Sequence, residues 1–414
     1  MAADALRVLV LAPFPPRLDG HHGGSRVTAG FVTELAKRHR VALLHLGRGS
    51  DDVADDVVGE ACEPLVRCEL PARPRGGAAE LRYQANTMAP LLAGRPRWAT
   101  LAWSRACAGR LRTLAGEFRP DVVQCEYAVM TQYLPALREL RAARVLVQHE
   151  PAAARAAEAV SASLGGRRRA RLAARGEERA WRRFERQSLE RVDAAVAFTE
   201  ADRDALRALG ARTPIDVIPF GIDIPPEALD PAGASDADRL LFVANFVHMP
   251  NVEAARRLVL DVLPLVRRER PGVTVELVGR APPPAVEALA GEGVVVTGEV
   301  PSVTQYLDRA NVVVAPLAIG GGIRVKTIEA LGFGKAVVAT PLAAAGLPVA
   351  DGEHVRLAET DDELARAILD LLADAEGRAA LGRRARTWAV EHAGWEAAVD
   401  AYERLYRSLL GGGR

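Results

Sequence analysis

Residues 311–340 carry the pattern that most restricts how this chain can fold. Val312 to Ala315 is a short apolar run, three glycines follow at positions 320–322, and an amphipathic stretch runs from Ile323 to about Leu331. A second apolar run, Ala336 to Ala339, ends the segment. Short apolar runs on either side of an amphipathic stretch are typical of buried parallel strands joined by a helix. The segment therefore predicts a βαβ unit.

The loop between these two strands has the features of an anion-binding site. Three glycines let backbone N–H groups approach a ligand closely, and the first N–H groups of a helix have no partner within the helix. Arg324 and Lys326 place two cations in the first turn, where the helix dipole by itself favours acidic residues, so we expect a diphosphate as the counter-charge. Glu329 follows Lys326 by three residues on the same side of the helix, within reach of ribose hydroxyls. The alternative is an ordinary turn and a solvated Lys326–Glu329 pair.

The stretch PLAIGGGIRVKTIEALGFGKAVVAT resembles the C-terminal donor-site motif of the family 4 retaining glycosyltransferases of GT-B fold, in the subgroup with a GGG-x-R-x-K-x-x-E-A signature. The resemblance implies that the diphosphate of a nucleotide sugar is bound by Gly320, Gly321, Gly322, Ile323, Arg324 and Lys326. It also implies that Glu329 binds the ribose and that Arg324 and Lys326 take part in catalysis. The wider family usually carries an earlier glutamate as well, which would fall at Gly321, so one usual contact to the donor sugar is changed here.

Length, charge and cysteine spacing limit the class of protein. A chain of 414 residues exceeds what one hydrophobic core normally serves, so we expect two domains. The 54 basic and 53 acidic residues nearly balance, which gives no overall argument for binding nucleic acid or membrane. The four cysteines have no C-x-x-C spacing and no paired histidines, so we expect reduced thiols of a cytoplasmic protein and no metal site. Nowhere do eighteen apolar residues run together, which predicts a soluble chain or one that at most lies on a membrane.

The amino-terminal half repeats the arrangement of strand, glycine loop and helix. Arg7 to Ala12 is an apolar run, and Gly23-Gly24-Ser25 precedes an amphipathic stretch from about Arg26 to Arg38. Gly23 and Gly24 resemble the N-terminal glycine loop of the same family, which implies that they face the donor phosphates. A plain turn with Ser25 as the N-cap of the helix explains the same residues equally well.

Further apolar runs alternate with helical stretches along this half, which predicts a doubly wound parallel sheet. Ligands of such sheets bind outside the carboxyl ends of the strands. Two predicted strand ends carry polar residues, Glu126 after one run and His149-Glu150 after another. The resemblance implies that His149 is catalytic and contacts the donor sugar, and we expect Glu126 and Glu150 on the acceptor side. The alternative is a histidine and an acid that cap a helix.

A stretch rich in proline, glycine and aspartate begins at Pro219 and has no periodicity, so it predicts the domain boundary. We expect an N-terminal acceptor-side domain at residues 1–222, a linker at 223–239, a nucleotide-sugar-binding domain at 240–394 and a helix at 395–414 that crosses back to the first domain. Within the second domain, the resemblance implies nucleobase contacts from Gly298 and Val300. It also implies that Trp388 and Trp395 anchor the last helix.

The most charged segment runs from Arg167 to Arg191 and has helical periodicity with a partial apolar stripe. One interpretation is a solvated helix face. The other is peripheral contact with anionic lipid head groups at the inner membrane face, or with an anionic acceptor. Nucleic acid is not expected as a partner, because no basic-aromatic repeat or helix-turn-helix pattern accompanies the segment.

Taken with the resemblance, these features predict an α/β chain of GT-B fold, with two Rossmann-like doubly wound parallel-sheet domains and a cleft between them. We expect transfer of a sugar, with retention, from a nucleotide-diphosphate donor to a saccharide, lipid-linked or natural-product acceptor. No metal or other cofactor is expected, because two cations and a helix N-terminus can stabilise the departing diphosphate. The alternatives are a GT-B sugar-nucleotide epimerase or phosphorylase, and a non-catalytic nucleotide-binding protein.

Overall fold

The computed structural model describes residues 5–18, 23–49, 53–71, 76–77, 94–151, 168–229, 238–319 and 325–411. The chain divides into two compact units. One comprises Met1–Gly221 with Ala398–Arg414, and the other comprises Ile222–Ala397. The described parts of the stretch that we expected to form a linker, residues 223–229 and 238–239, belong to the second unit.

The first unit is built on a parallel sheet. Its strands are β1 (Arg7–Ala12), β2 (Arg40–Gly47), β3 (Leu65–Glu69), β4 (Val122–Glu126), β5 (Ala143–Gln148), β6 (Ala194–Ala197) and β7 (Ile215–Val217). Its helices up to residue 221 are α1 (Gly23–Ala36), α2 (Asp56–Ala61), α3 (Arg97–Leu101), α4 (Arg105–Phe118), α5 (Arg168–Leu189) and α6 (Glu200–Arg207), with a 3₁₀ segment at Ala128–Leu137. The strand order is β3-β2-β1-β4-β5-β6-β7, so the chain changes direction across the sheet between β1 and β4.

The second unit has a six-stranded parallel sheet. Its strands are β8 (Arg239–Val243), β9 (Thr274–Val278), β10 (Val294–Gly298), β11 (Val312–Ala315), β12 (Val337–Ala339) and β13 (Arg356–Leu357). Its helices are α7 (Met249–Arg257), α8 (Leu263–Glu269), α9 (Pro284–Glu287), α10 (Thr304–Arg309), α11 (Val325–Gly332), α12 (Asp361–Ala373) and α13 (Ala375–His392), with a π-helical turn at Leu258–Val262 between α7 and α8. The order β10-β9-β8-β11-β12-β13 places the change of direction between β8 and β11.

Both sheets are covered on their two faces, which explains why the central strands are continuous apolar runs. In β1, the side chains from Val8 to Ala12 are all fully buried, and in β11 Val312 and Val314 are fully buried as well. The prediction of two doubly wound parallel-sheet domains is confirmed.

The elements that sequence reasoning missed lack this apolar signal. Strand β3 is at the sheet edge, includes an arginine and is only half-buried over its first three residues. Strand β13 has two residues, both half-buried. Helix α1 begins at Gly23, three residues before the predicted start, because the two glycines are part of its first turn.

The last helix, α14 (Trp395–Gly411), is held to the first unit by tyrosines. The Tyr402 ring packs against Phe31 at 4.6 Å, and Tyr406 is fully buried. Of the two tryptophans expected to anchor this helix, Trp395 is its first residue and Trp388 lies on the preceding helix, α13. The Trp388 indole nitrogen donates to the Pro348 carbonyl at 3.0 Å.

The ends of β8 and β9 approach each other so closely that only glycine fits at position 279. Gly279 has a φ of 152°, and a Cβ there would overlap the carbonyl oxygen of Ala244. We expect Gly279→Ala to lower the free energy of unfolding by roughly 2–5 kcal/mol, because it adds backbone strain to overpacking. Chemical denaturation measures the change. Gly291→Ala is the matched control, since nothing lies within 4 Å of the added methyl, and equal losses in both variants would contradict the argument.

Candidate active site

A carboxylate and a histidine meet at the carboxyl edge of the first sheet. Glu126 ends β4, and His149 follows the last residue of β5, the neighbouring parallel strand. Glu126 Oε2 lies 2.6 Å from His149 Nε2, and both side chains are buried. The two residues that sequence reasoning expected at this edge are therefore in direct contact. The imidazole bonds an acid from the adjacent strand through Nε2, rather than a helix terminus.

Two further buried side chains extend this pair into the interior of the unit. Gln124 Nε2 donates to Glu126 Oε1 at 2.6 Å, and the Tyr406 hydroxyl of α14 donates to Gln124 Oε1. Both Gln124 and Tyr406 are fully buried. Burial, reinforced by the charge of Glu126, raises the pKa of Tyr406 well above its ordinary value, so its hydroxyl keeps its proton.

An aromatic ring covers the histidine. Tyr127 has a φ of 65°, which is uncommon for a residue with a side chain, and its ring stacks on His149 at 4.2 Å and 11°. Phe14 and Trp98 meet the Tyr127 ring edge-on, with centroids 5.4 and 5.5 Å away. Gly24 is in the first turn of α1, beside Gly23, and a Cβ on Gly24 would overlap the Tyr127 hydroxyl. The glycine therefore permits α1 to begin against this ring.

The loop after β5 is held by Gln148. Its side-chain amide donates to the carbonyl of Glu150 at 2.8 Å and to Glu185 Oε1 at 2.9 Å, while its oxygen accepts from the Ala128 N–H at 2.7 Å. Glu150 is half-buried in this loop. Gln148 thus fixes the backbone on both sides of His149.

In the second unit, Lys326 and Glu329 form an ion pair on α11. Lys326 Nζ lies 2.6 Å from Glu329 Oε2, and the two side chains are 37 % and 15 % exposed. The pair follows β11, one of the two strands at the change of direction in this sheet. Thr327, between them, donates to the Ala343 carbonyl at 3.2 Å and holds the inner side of the helix. The other predicted diphosphate ligands, Gly320, Gly321, Gly322, Ile323 and Arg324, lie outside the described residues.

The residues expected to contact a nucleobase lie at the end of β10. Gly298 has a φ of 72°, and its carbonyl accepts from the Gly279 N–H at 3.0 Å and the Thr297 hydroxyl at 2.9 Å. Val300, two residues on, is half-buried.

Among the described residues, no three His, Cys, Asp or Glu side chains are grouped so that they could hold a metal ion.

The sequence matches two family models. Residues 21–224 match the model described as Glycosyltransferase Family 4, and residues 237–374 match the model described as Glycosyl transferases group 1. The chain is a glycosyltransferase of the GT-B fold. No curated protein sequence matches that of this glycosyltransferase.

Solved structures share the fold of this glycosyltransferase at low sequence identity. Sucrose-phosphate synthase from Thermosynechococcus elongatus has a TM-score of 0.67 and 17 % identity, over 99 % of this chain and 100 % of that one. HepE from Anabaena, in complex with UDP and glucose, has a TM-score of 0.62 and 15 % identity, over 97 % and 100 %. A glycosyltransferase from Rickettsia africae has a TM-score of 0.65 and 12 % identity, over 98 % and 99 %.

Sequence reasoning on this glycosyltransferase assigned no role to three residues of the first-unit site. The role of Gln124 could have been found, because Gln124 lies two residues before Glu126 in a strand and so shares its face. The positive φ of Tyr127 could not be predicted from the sequence. Tyr406 is separated from Gln124 by 282 positions, so only the fold reveals their contact.

Removing Glu126 should destabilise the first unit strongly. In Glu126→Ala, the buried amide of Gln124 and the ring nitrogen of His149 both lose their acceptor, so we expect the free energy of unfolding to fall by roughly 3–5 kcal/mol. Glu139→Ala is the control, because that side chain is 89 % exposed and paired only with an exposed arginine. Denaturant titration should show no measurable loss for Glu139→Ala. A similarly small loss for Glu126→Ala would show that the buried contact is not formed.

Proposed function

We propose that this glycosyltransferase moves a sugar from a nucleotide-diphosphate donor, bound by the second unit, to an acceptor bound by the first. The anomeric configuration is retained, and no metal or other cofactor is used. The observation that carries the proposal is the Lys326–Glu329 pair in the first two turns of α11, shortly after the three glycines of the sequence at positions 320–322. A cation at the start of a helix is opposed by the helix dipole, and an anion bound there relieves that opposition.

The donor site combines the residues around this pair. Lys326 is exposed enough to reach a diphosphate. Arg324 and residues 320–323 are assigned to the same phosphate site on the sequence motif alone. Glu329, held beside Lys326, accepts hydrogen bonds from the ribose hydroxyls. Gly298 and Val300 contact the base, while Gly23 and Gly24 contribute phosphate contacts. The UDP bound to HepE supports a uridine nucleotide as the first donor to test.

The acceptor site is at the carboxyl edge of the first sheet. His149 contacts the donor sugar, and Glu150 faces the acceptor. Since both carboxylate oxygens of Glu126 are occupied by Gln124 and His149, Glu126 acts on the reactants through the histidine. The aromatic rings beside His149 offer apolar surface to the ring of a saccharide or a natural-product aglycone.

The proposed transfer step needs no nucleophile from the protein. The acceptor hydroxyl forms the new bond to the anomeric carbon as the bond from that carbon to the diphosphate oxygen breaks, and the hydroxyl proton passes to the departing phosphate. Charge develops on the diphosphate, where Lys326, Arg324 and the N-terminus of α11 stabilise it.

Loss of one cation at the donor site should slow turnover sharply. We expect Lys326→Ala, and likewise Arg324→Ala, to lower kcat by roughly 10²-fold, the usual scale for one preorganised contact to developing charge. The donor is chosen by thermal shift from UDP-, GDP- and ADP-glucose, and nucleotide release is then measured. Lys37→Ala is the matched control, because Lys37 forms an equivalent pair with Glu34 at 2.6 Å, three residues away.

Near-normal turnover in both donor-site variants would overturn the diphosphate assignment. Binding of a nucleotide sugar with no transfer or nucleotide release would instead favour a non-catalytic binding protein. Consumption of inorganic phosphate would favour a phosphorylase.

We also propose that the enzyme works in the cytoplasm and meets a lipid-linked acceptor at an anionic membrane face through α5. The inner side of α5 is buried through Trp181, Phe184 and Leu189. Its outer side exposes arginines, of which Arg182 and Arg186 pair with glutamates on or just after the helix. Among the described residues, no helix is long and apolar enough to cross a membrane.

Vesicle co-sedimentation tests the membrane contact. Arg175, Arg179 and Arg183 lie one turn apart on the exposed side of α5, and each contributes about 1 kcal/mol at an anionic surface. Changing all three to Gln should weaken binding to phosphatidylserine vesicles by roughly 10²-fold. Changing the exposed Arg105, Arg112 and Arg404 to Gln removes the same charge elsewhere and should have little effect. Wild-type protein that stays in the supernatant with these vesicles at low salt would leave α5 as a solvated face.

A further inference from the structure

A line of buried hydrogen bonds joins the last helix to the histidine of the candidate active site. It runs from Tyr406 on α14 through Gln124 and Glu126 to His149. Each of these four side chains is buried. Every polar atom in such a place needs a partner, so the contacts constrain one another.

The Glu126 carboxylate determines which group donates and which accepts in every hydrogen bond of this line. Glu126 accepts at both oxygens, so His149 must present a protonated Nε2 to it and Gln124 must present its NH₂ group. With its nitrogen toward Glu126, Gln124 turns its carbonyl oxygen toward Tyr406. A carbonyl oxygen only accepts, so the tyrosine hydroxyl must donate. Reversing any one group would leave two acceptors or two donors facing each other in a buried site.

The ring of His149 is also held in its plane. The Tyr127 ring stacks on one side at 4.2 Å, and the Phe198 ring meets it edge-on at 4.8 Å. Packing therefore sets the plane of the imidazole, and the hydrogen bond to Glu126 directs its Nε2 toward the carboxylate.

We propose that Tyr406 is a positioning residue for His149: through Gln124 it holds the Glu126 carboxylate in the orientation that accepts from Nε2 of the imidazole. Nδ1 is then the ring nitrogen left to meet a substrate hydroxyl. The proposal rests on the proposed function for the role of His149, but the hydrogen-bond line itself does not depend on it. Through this line, the end of the chain takes part in setting the chemistry of a residue on the central sheet.

Nuclear magnetic resonance of the full chain with ¹⁵N-labelled histidine rings tests the line without any substrate. The chain has eight histidines, and the His149 signals are assigned by their loss in His149→Gln. We expect the wild-type Nε2 to carry a proton that is hydrogen-bonded to Glu126 and therefore resonates downfield. In Tyr406→Phe the Gln124 oxygen loses its donor and the amide no longer holds Glu126 in one orientation, so we expect the Nε2 proton signal to move upfield and to exchange faster with water.

Tyr402→Phe is the matched control. Tyr402 lies four residues earlier on the same helix and is also buried, and its ring packs on Phe31. In Tyr402→Phe, the His149 signals should match those of the wild type. A proton on Nδ1 rather than Nε2 in the wild type would overturn the proposal, even if Tyr406→Phe failed to fold. Identical His149 signals in folded Tyr406→Phe and wild type would overturn it as well.

Steady-state kinetics with the donor selected by thermal shift separates positioning from a purely structural role. We expect Tyr406→Phe to lower kcat about 10-fold and to leave the KM for the donor within about twofold, because the lost orientation matters most in the transition state. Equal loss in Tyr402→Phe and Tyr406→Phe would point to packing of α14 alone and contradict the proposal. An effect of Tyr406→Phe on the His149 signals in an enzyme that turns over no nucleotide sugar would instead overturn the proposed function and leave the hydrogen-bond line standing.

Discussion

Parallel pairing of the central strands decides where the functional groups of each unit can lie. Because β1 pairs with β4 and β8 pairs with β11, all with the same direction, every strand ends at one edge of its sheet. The chain leaves each sheet toward opposite sides at these two pairs, which opens a crevice at their carboxyl ends. Glu126 is the last residue of β4, at the first of these switch points. Lys326 lies on α11, the helix that comes after β11 at the second.

Burial of the first-unit site costs hydration free energy and also restricts how its side chains can be oriented. A charged carboxylate removed from water loses several kcal/mol of hydration, which its partners must offset. Glu126 has two such partners, at 2.6 Å each, and the bond from Tyr406 to Gln124 satisfies the next group inward. A network in which each member has one permitted orientation holds the histidine ring in one position. At a water-exposed surface, water would compete for the same hydrogen bonds.

The parts of the structure that sequence predicts are those governed by local periodicity. Strand β11 has the predicted bounds, and β12 differs by one residue, since buried parallel strands are apolar without interruption. Likewise, the meeting of Glu126 and His149 at one edge follows from the parallel order of their strands. Contacts made by tertiary packing leave no such pattern. The Tyr406–Gln124 bond and the backbone of Tyr127 depend on how α14 and α1 pack against the sheet, and the two-residue strand β13 exists only because β12 lies beside it.

Two lysine–glutamate pairs in this chain show how position along a helix changes the affinity of a lysine for an anion. Lys326–Glu329 and Lys37–Glu34 both have an N···O distance of 2.6 Å between residues three apart, and in both the glutamate is 15 % exposed. Lys37 directly follows the end of α1, where the helix dipole favours a cation, whereas Lys326 lies in the first turn of α11, where the dipole opposes one. Each effect is worth about 0.3–1 kcal/mol, so the two lysines differ in their preference for an added anion by about 0.6–2 kcal/mol. The helix dipole already favours the Lys37 pair, so that pair gains little from an anion. The Lys326 pair gains when a negatively charged ligand joins it, and that difference, rather than the pair itself, is why we propose the donor site there.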